Sequence, residues 1–270
     1  MTNEQLLEKM SKDMQMRNFS KYTYYAYMHK GKEIIKYFNK PMEEVTTEEL
    51  RNFLFNYLTE KRKLADRSVN YYNSIIRFMY EVTLDKLINK KQLPMRKRKK
   101  SVYKVLTKEE LSTFFNCVDD YKFKTIFMIA YGSGLRIGEI VNLHISDIDS
   151  KKMRIFVREG KGNKERYTIL SKTSLEMLRT YWSKYRKPVK SDKIFLTELD
   201  EPMTVGVIRD RFRRYRRKAG LNEKVTMHTL RHCYATNLIE NGATLIQVKE
   251  LMGHSNIRST MEYVHVANID

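Results

Sequence analysis

Along the first ninety residues apolar side chains return every three or four positions. That is the period of a helix with one face turned to a core. Tyr24, Tyr27, Ile34 and Phe38 share one such face, and an earlier helix is expected from Glu4 to about Met14. Thr46 and Glu49 have the spacing with which a helix N-terminus closes on itself. They precede Leu50, Phe53, Leu54, Tyr57 and Leu58, and Val69, Tyr72, Ile76 and Met79 mark the next helix. Residues 1–90 therefore predict a four-helix bundle, and nothing in it looks catalytic.

The pattern then breaks. Pro94 ends a helix, and Arg96-Lys97-Arg98-Lys99-Lys100 has no apolar period. Residues 91–101 read as a basic linker able to lie along nucleic-acid phosphates. A second capping pair, Thr107 and Glu110, opens a domain over 102–270, with apolar helices to Tyr131. Residues 153–158 and 166–170 alternate as strands do, and the Gly-rich turn Glu159–Glu165 joins them as a hairpin. Helices return at 206–219 and after His228, where Leu230, Tyr234 and Leu238 face inwards and Asn241-Gly242 makes the stop. The next helix, from about Leu245 to Met252, is expected to bury Leu245, Val248 and Leu251 and to end at Gly253. Ser255-Asn256 can cap a last short helix carrying Tyr263. The fold class is thus mainly α with a small antiparallel β-sheet, in two domains.

Charge narrows the partners. The 270 residues carry 52 Lys and Arg against 32 Asp and Glu, a net charge of +20. So large an excess works against compactness unless a polyanion answers it, which makes nucleic acid the leading partner. The helix at 206–219 concentrates the effect. Ile208, Phe212, Tyr215 and Ala219 line one side, and Arg209, Arg211, Arg213, Arg214, Arg216 and Arg217 crowd the rest around a single acid, Asp210. Such a helix can offer guanidinium groups to phosphates or base edges. No apolar run is long enough to span a bilayer, and Met1-Thr2-Asn3-Glu4-Gln5 is polar and acidic, unlike a signal sequence. Cys117 and Cys233 lie far apart in apolar helical patterns, match no metal spacing and read as buried free thiols. A cytoplasmic protein with no metal and no cofactor is expected.

The candidate chemistry gathers late in the chain. His228 and Arg231 are three apart on one helical face, His254 directly follows the Gly253 stop, and Tyr263 lies nine residues on. Arg136 follows the break Gly132-Ser133-Gly134, with Glu139 spaced to orient it. Lys161 sits between glycines in the hairpin turn. Two arginines, two histidines and a tyrosine form a set able to clamp, protonate and attack a phosphodiester.

Four blocks, Gly134-Leu135-Arg136-Ile137-Gly138-Glu139-Ile140, Gly160-Lys161-Gly162-Asn163-Lys164-Glu165-Arg166, His228-Thr229-Leu230-Arg231-His232 and Leu251-Met252-Gly253-His254-Ser255 with Tyr263, resemble the tyrosine recombinase (phage integrase) family, its Xer-type members included. They fall in that family's order and spacing, and the resemblance covers the whole chain. It implies that Tyr263 attacks DNA to form a 3′-phosphotyrosine, needing neither metal nor ATP. Arg136 and Arg231 would stabilise the charged phosphate, His228 would act as general acid or base, and Lys161 would protonate the 5′ oxygen, with Lys164 as the alternative. His254 would donate to a phosphate oxygen, and Glu139 would support Arg136. DNA contacts are expected from Lys97, Arg98, Lys99, Lys100, Lys164, Arg209, Arg213, Arg214, Arg216 and Arg217. The implied partner is duplex DNA with inverted half-sites, bound by a dimer per site and a tetramer in synapsis, with an accessory protein or partner recombinase left open. One departure is that only Val264–Asp270 follow the tyrosine, fewer residues than many relatives carry for coupling protomers. Two rival readings are a type IB topoisomerase-like relaxing enzyme and a non-catalytic DNA-binding protein. The complete set of reactive residues argues against the second.

Overall fold

The computed structural model describes residues 1–97, 104–160, 164–187 and 189–264. The chain divides into two compact units, Met1–Lys100 and Ser101–Asp270.

The first unit is the expected bundle. Helix α1 is Asn3–Met16 and α2 is Lys21–Phe38; α3, Thr47–Asn52, winds on as π-helical turns to Lys61, and α4, Asp66–Arg77, does the same to Thr83. Side-chain caps fix three of the starts. The hydroxyls of Thr2, Ser20 and Thr46 each accept a first-turn N–H, and Glu49 answers the Thr46 backbone as the spacing predicts. The core is Leu6, Met10 and Met14 against Ile34, Leu50, Phe53, Leu58, Ile75, Ile76 and Met79. Residues 91–97 run along this bundle. Leu93 is buried in its core, Arg77 donates to the Leu93 carbonyl at 2.6 Å, and Asn70 and Arg96 bond through their backbone and side-chain groups at 2.8 and 3.0 Å. The sequence signalled a linker here because the charges outnumber the one apolar anchor.

The second unit begins with α5, Lys108–Cys117, capped by Thr107 and Glu110, then α6, Tyr121–Ser133, and the short α7, Ile137–Val141. Three antiparallel strands follow in the order β1 (Ile148–Asp149), β2 (Arg154–Gly160), β3 (Lys164–Ile169). In the β2–β3 pairing Ile155 faces Thr168 and Val157 faces Arg166. Strand β1 has two residues, too short for any alternation to reveal. Then come α8 (Lys172–Thr180), α9 (Val205–Lys218), α10 (Met227–Glu240), α11 (Leu245–Met252) and α12 (Arg258–Val264).

Helix α10 buries nine of its fourteen residues, Thr229, Arg231 and Thr236 among them, so it runs through the interior and carries polar groups into it. It separates a large core, which includes Phe114, Phe127, Ile129, Phe195, Phe212 and Leu230, from a smaller one of Tyr234, Ala235, Ile239, Val248, Met252 and Tyr263. Two expectations change here. In α11 the buried residues are Val248 and Met252, while Leu245 and Leu251 are only half-buried. Val248 and Met252, four residues apart, face the small core, with Leu245 packed at its edge. Cys233 is a buried free thiol, but Cys117 is half-buried at the end of α5.

Candidate active site

The site starts from a glycine. Gly134 ends α6 in the left-handed conformation, φ +64°, and a Cβ there would stand 2.2 Å from the Tyr234 ring. Only glycine meets both demands. The tight stop brings Arg136 to the start of α7, where the Glu139 carboxylate accepts from the Arg136 backbone N–H at 2.8 Å and from its Nη1 at 2.7 Å. Glu139 therefore orients Arg136, as its spacing implies. Its side chain is only 7% exposed and also faces Arg166 and Arg231. Burial alone would raise its pKa, but hydrogen bonds and charge from Arg166, with help from Arg136, hold it down at about 2.

Helix α10 supplies the second arginine from within the core. Arg231 is 5% exposed; its Nη1 donates to the Gly134 carbonyl and its Nη2 to that of Met252. Burial, then the neighbouring Arg136, lowers its pKa to about 9, so it stays charged at neutral pH. His228, three residues earlier, lies on the exposed side of the same turn. Desolvation and the charges of Arg231, Arg136 and Arg209 lower its pKa. His232 stands closer to the tyrosine: its Nδ1 is 3.0 Å from the Tyr263 hydroxyl, with its ring 6.2 Å from that of His228. Burial and the nearby His228 and Arg231 bring its pKa down to about 4, so the imidazole is neutral at pH 7.

The third approach is the α11–α12 turn. Gly253 closes α11 with φ +60°, and its N–H and that of His254 return to the carbonyls of Glu250 and Lys249 at 3.0 Å each. The turn sets His254 with Nδ1 2.9 Å from the Thr260 hydroxyl, its ring stacked on Tyr263 at 6.1 Å. Burial and three arginines, Arg231 first, lower its pKa to about 4. If Thr260 donates to Nδ1, the neutral ring carries its proton on Nε2, free to be given to a ligand. Asn256 caps the start of α12, its side chain accepting from Arg258 N–H at 2.9 Å. Tyr263, 3% exposed, packs into the small core.

The structure thus brings together Arg136, Glu139, Arg231, His254 and Tyr263 from three separate stretches. Lys161 lies outside the described residues, as do Arg98, Lys99 and Lys100. Lys97 is exposed, and Lys164 opens β3. On α9, Arg209, Arg213, Arg214 and Arg217 are exposed. Arg216 differs from them. It is half-buried and donates to the Glu223 and Val225 carbonyls, tying down the loop that leads to α10. Sequence reasoning gave no role to His232 and Arg166. Both lie inside the quoted motif blocks, yet contact across the fold, not spacing, reveals their partners. Among the described residues no group of three or more His, Cys, Asp or Glu side chains is placed to hold a metal ion.

Comparison with known proteins gives the family. Residues 104–269 match the model of the phage integrase family, and residues 6–90 match that of the phage integrase N-terminal SAM-like domain. The chain is 34% identical over 264 residues to a putative integrase/recombinase, y4qK, of Sinorhizobium fredii, covering 97% of this chain and 84% of that one. It is 32% identical over 273 residues to the tyrosine recombinase XerA of Pyrococcus horikoshii, covering 98% and 90%. Among solved structures, a lambda integrase tetramer bound to a Holliday junction shares the fold, with a TM-score of 0.78 at 20% identity over 97% of this chain and 77% of that one. The chain belongs to the phage integrase family, the tyrosine recombinases, which are enzymes that break and rejoin DNA.

Proposed function

We propose that this protein is a site-specific recombinase that cuts and rejoins duplex DNA through a 3′-phosphotyrosine at Tyr263, using neither metal nor ATP. The observation that carries the reading is the placing of Tyr263 beside His254 and His232, with two guanidinium groups held by one buried carboxylate.

The chemistry follows from the groups. Attack of the tyrosine oxygen on phosphorus forms one P–O bond and breaks the bond to the 5′ oxygen, with negative charge growing on the two non-bridging oxygens. Fixed cations in a water-poor site stabilise that charge most effectively. Arg136 and Arg231 supply it with planar forks suited to phosphate. His254 would add a hydrogen bond from Nε2. Neutral His232, at the hydroxyl, is positioned to take the phenolic proton. His228, one turn away and exposed, is left to exchange protons with solvent. The leaving 5′ oxygen would be protonated by Lys161, with Lys164 as the alternative. The phosphotyrosine conserves the bond energy, so rejoining by the 5′ hydroxyl reverses the same steps.

Tyr263 and Arg231 are both buried, and the donors of Arg231 rest on backbone carbonyls. DNA entry therefore requires α12 and the end of α11 to shift. The exposed arginines of α9 and Lys97 would meet the backbone of the duplex. A dimer on inverted half-sites, pairing into a tetramer, is the assembly we propose, in line with the lambda integrase tetramer bound to a Holliday junction.

The test is trapping on nicked duplexes, chosen from a random library by binding to the protein. Loss of the short fragment prevents rejoining. A slow band on a denaturing gel that survives EDTA and disappears with Tyr263→Phe is expected. Absence of the band on DNA the protein binds would favour the non-catalytic reading. Relaxation of supercoiled plasmid lacking the selected site would favour the topoisomerase-like one.

A further inference from the structure

One residue of the hairpin motif has no part in the chemistry above. We propose that Arg166 is a positioning residue for strand cleavage: it anchors the carboxylate that orients Arg136 and the turn that presents His254. This inference rests on the recombinase reading.

Arg166 lies on β3, yet its side chain is only 8% exposed. All three of its nitrogens donate. Nη1 and Nη2 meet the two oxygens of Glu139 at 2.9 and 2.8 Å, and Nε meets the Leu251 carbonyl at 2.9 Å. Burying two opposite charges is costly unless each donor and acceptor is matched, and a forked pair with a third bond matches them.

The Leu251 contact belongs to a series. The carbonyls of Leu251, Met252 and Gly253 accept from Arg166, Arg231 and Arg136 respectively. A helix leaves its last carbonyls without internal partners and carries partial negative charge at that end. Here three successive carbonyls at the end of α11 each hold a different arginine. Two belong to the phosphate site, and the third is Arg166. Its stem also lies against Gly253, where a Cβ would stand 2.8 Å from Arg166 Cδ, one residue before His254.

Charge gives the second half of the argument. One carboxylate serves three guanidinium groups, with Arg231 Nη1 3.8 Å from Glu139 Oε2. Arg166 engages both carboxylate oxygens and so shares the negative charge. Without it Glu139 would bind Arg136 and Arg231 more tightly and offset the positive field meant for the phosphate. Arg166 thus lets one acid orient the catalytic arginines without neutralising them.

The experiment measures adduct formation by wild type and Arg166→Lys on a selected nicked duplex. Rates are taken at saturating protein, with the Kd and melting temperature measured alongside. Lysine restores the charge but cannot form the fork. The expected result is a Kd within about threefold of wild type and a saturated rate roughly 10–100-fold lower, the size typical of groups that orient a reactive ligand. A wild-type rate, or a deficit that disappears at saturation, would overturn the proposal. Should Arg166→Lys fail to fold, Arg166→Gln, which keeps a donor beside Glu139 and leaves that carboxylate in place, is measured instead, with the same expectation and the same overturning result. Wild type forming no adduct would remove the recombinase reading and this inference with it. Wild type and variant forming adduct equally would remove this inference alone.

Discussion

Two sets of arginines in the same unit show how much surroundings decide what a side chain can do. Arg231 is 5% exposed and its donors are held by carbonyls; Arg213, on α9, is 60% exposed and pairs loosely with Asp210 at 3.1 Å. Both carry the same charge. The buried group has lost its water and its rotamer freedom, so its field acts at one place and at full strength. The exposed group keeps both and acts as a movable charge, screened by salt. Composition counts these residues alike, whereas the fold separates a buried, fixed set from an exposed one.

The largest break in that contrast should come from Arg231→Lys. Losing a fixed fork at the phosphate should slow cleavage of a nicked duplex by about 10²–10³-fold, with the Kd for DNA little changed. A defect seen only in binding would place Arg231 with the surface set.

Next comes Glu139→Gln, which leaves three guanidinium groups around a neutral amide. Breaking a buried ion pair of this kind should lower stability by about 3–5 kcal/mol, read from urea unfolding at pH 7. Its pH dependence fixes the sign. Glu139 is depressed from 4.5 to about 2, so its contribution is present above pH 4.5 and is lost as pH falls towards 2. That acid-side slope should be missing from the variant.

The neutral histidines give a milder effect. His232 and His254 are depressed from 6.5 to about 4, so the unfolded chain takes up their protons first as pH falls. Between pH 6.5 and 4 the folded state should lose about 2.5–3 kcal/mol per histidine. Melting curves at pH 7 and 5 for wild type and His232→Gln measure it, and identical pH slopes would contradict the buried, neutral assignment.

The smallest effect on chemistry should follow from replacing Arg213, Arg214 and Arg217 together by Gln. The slope of log K against log salt should flatten by about 2–3, while cleavage at saturating protein stays at the wild-type rate. A slower saturated rate would erase the distinction between the two sets.

Much of this was legible in the chain. The caps at Thr46 and Thr107, the hairpin and the Gly253 stop follow from local spacing, whereas Arg136, Arg231, His254 and Tyr263 are marked out by the four motif blocks and their family resemblance taken together. Local spacing could not show that His232 would meet the tyrosine, because that contact joins α10 to α12 across 31 residues. It also hid Arg166, whose bonds run to α7 and α11, 27 and 85 residues away. Arg216 looked like its neighbours because helical periodicity does not register a loop folding back on a guanidinium. Residues 91–97 read only as part of a basic linker because one buried leucine and a few asparagine hydrogen bonds leave little trace among so many charges.

The most direct test of the central claim is to identify the residue that carries the DNA. Protease digestion of the trapped complex, followed by mass spectrometry, should find the nucleotide as a 3′-phosphate ester on the peptide containing Tyr263. Attachment to another residue, or through a 5′ phosphate, would contradict the account.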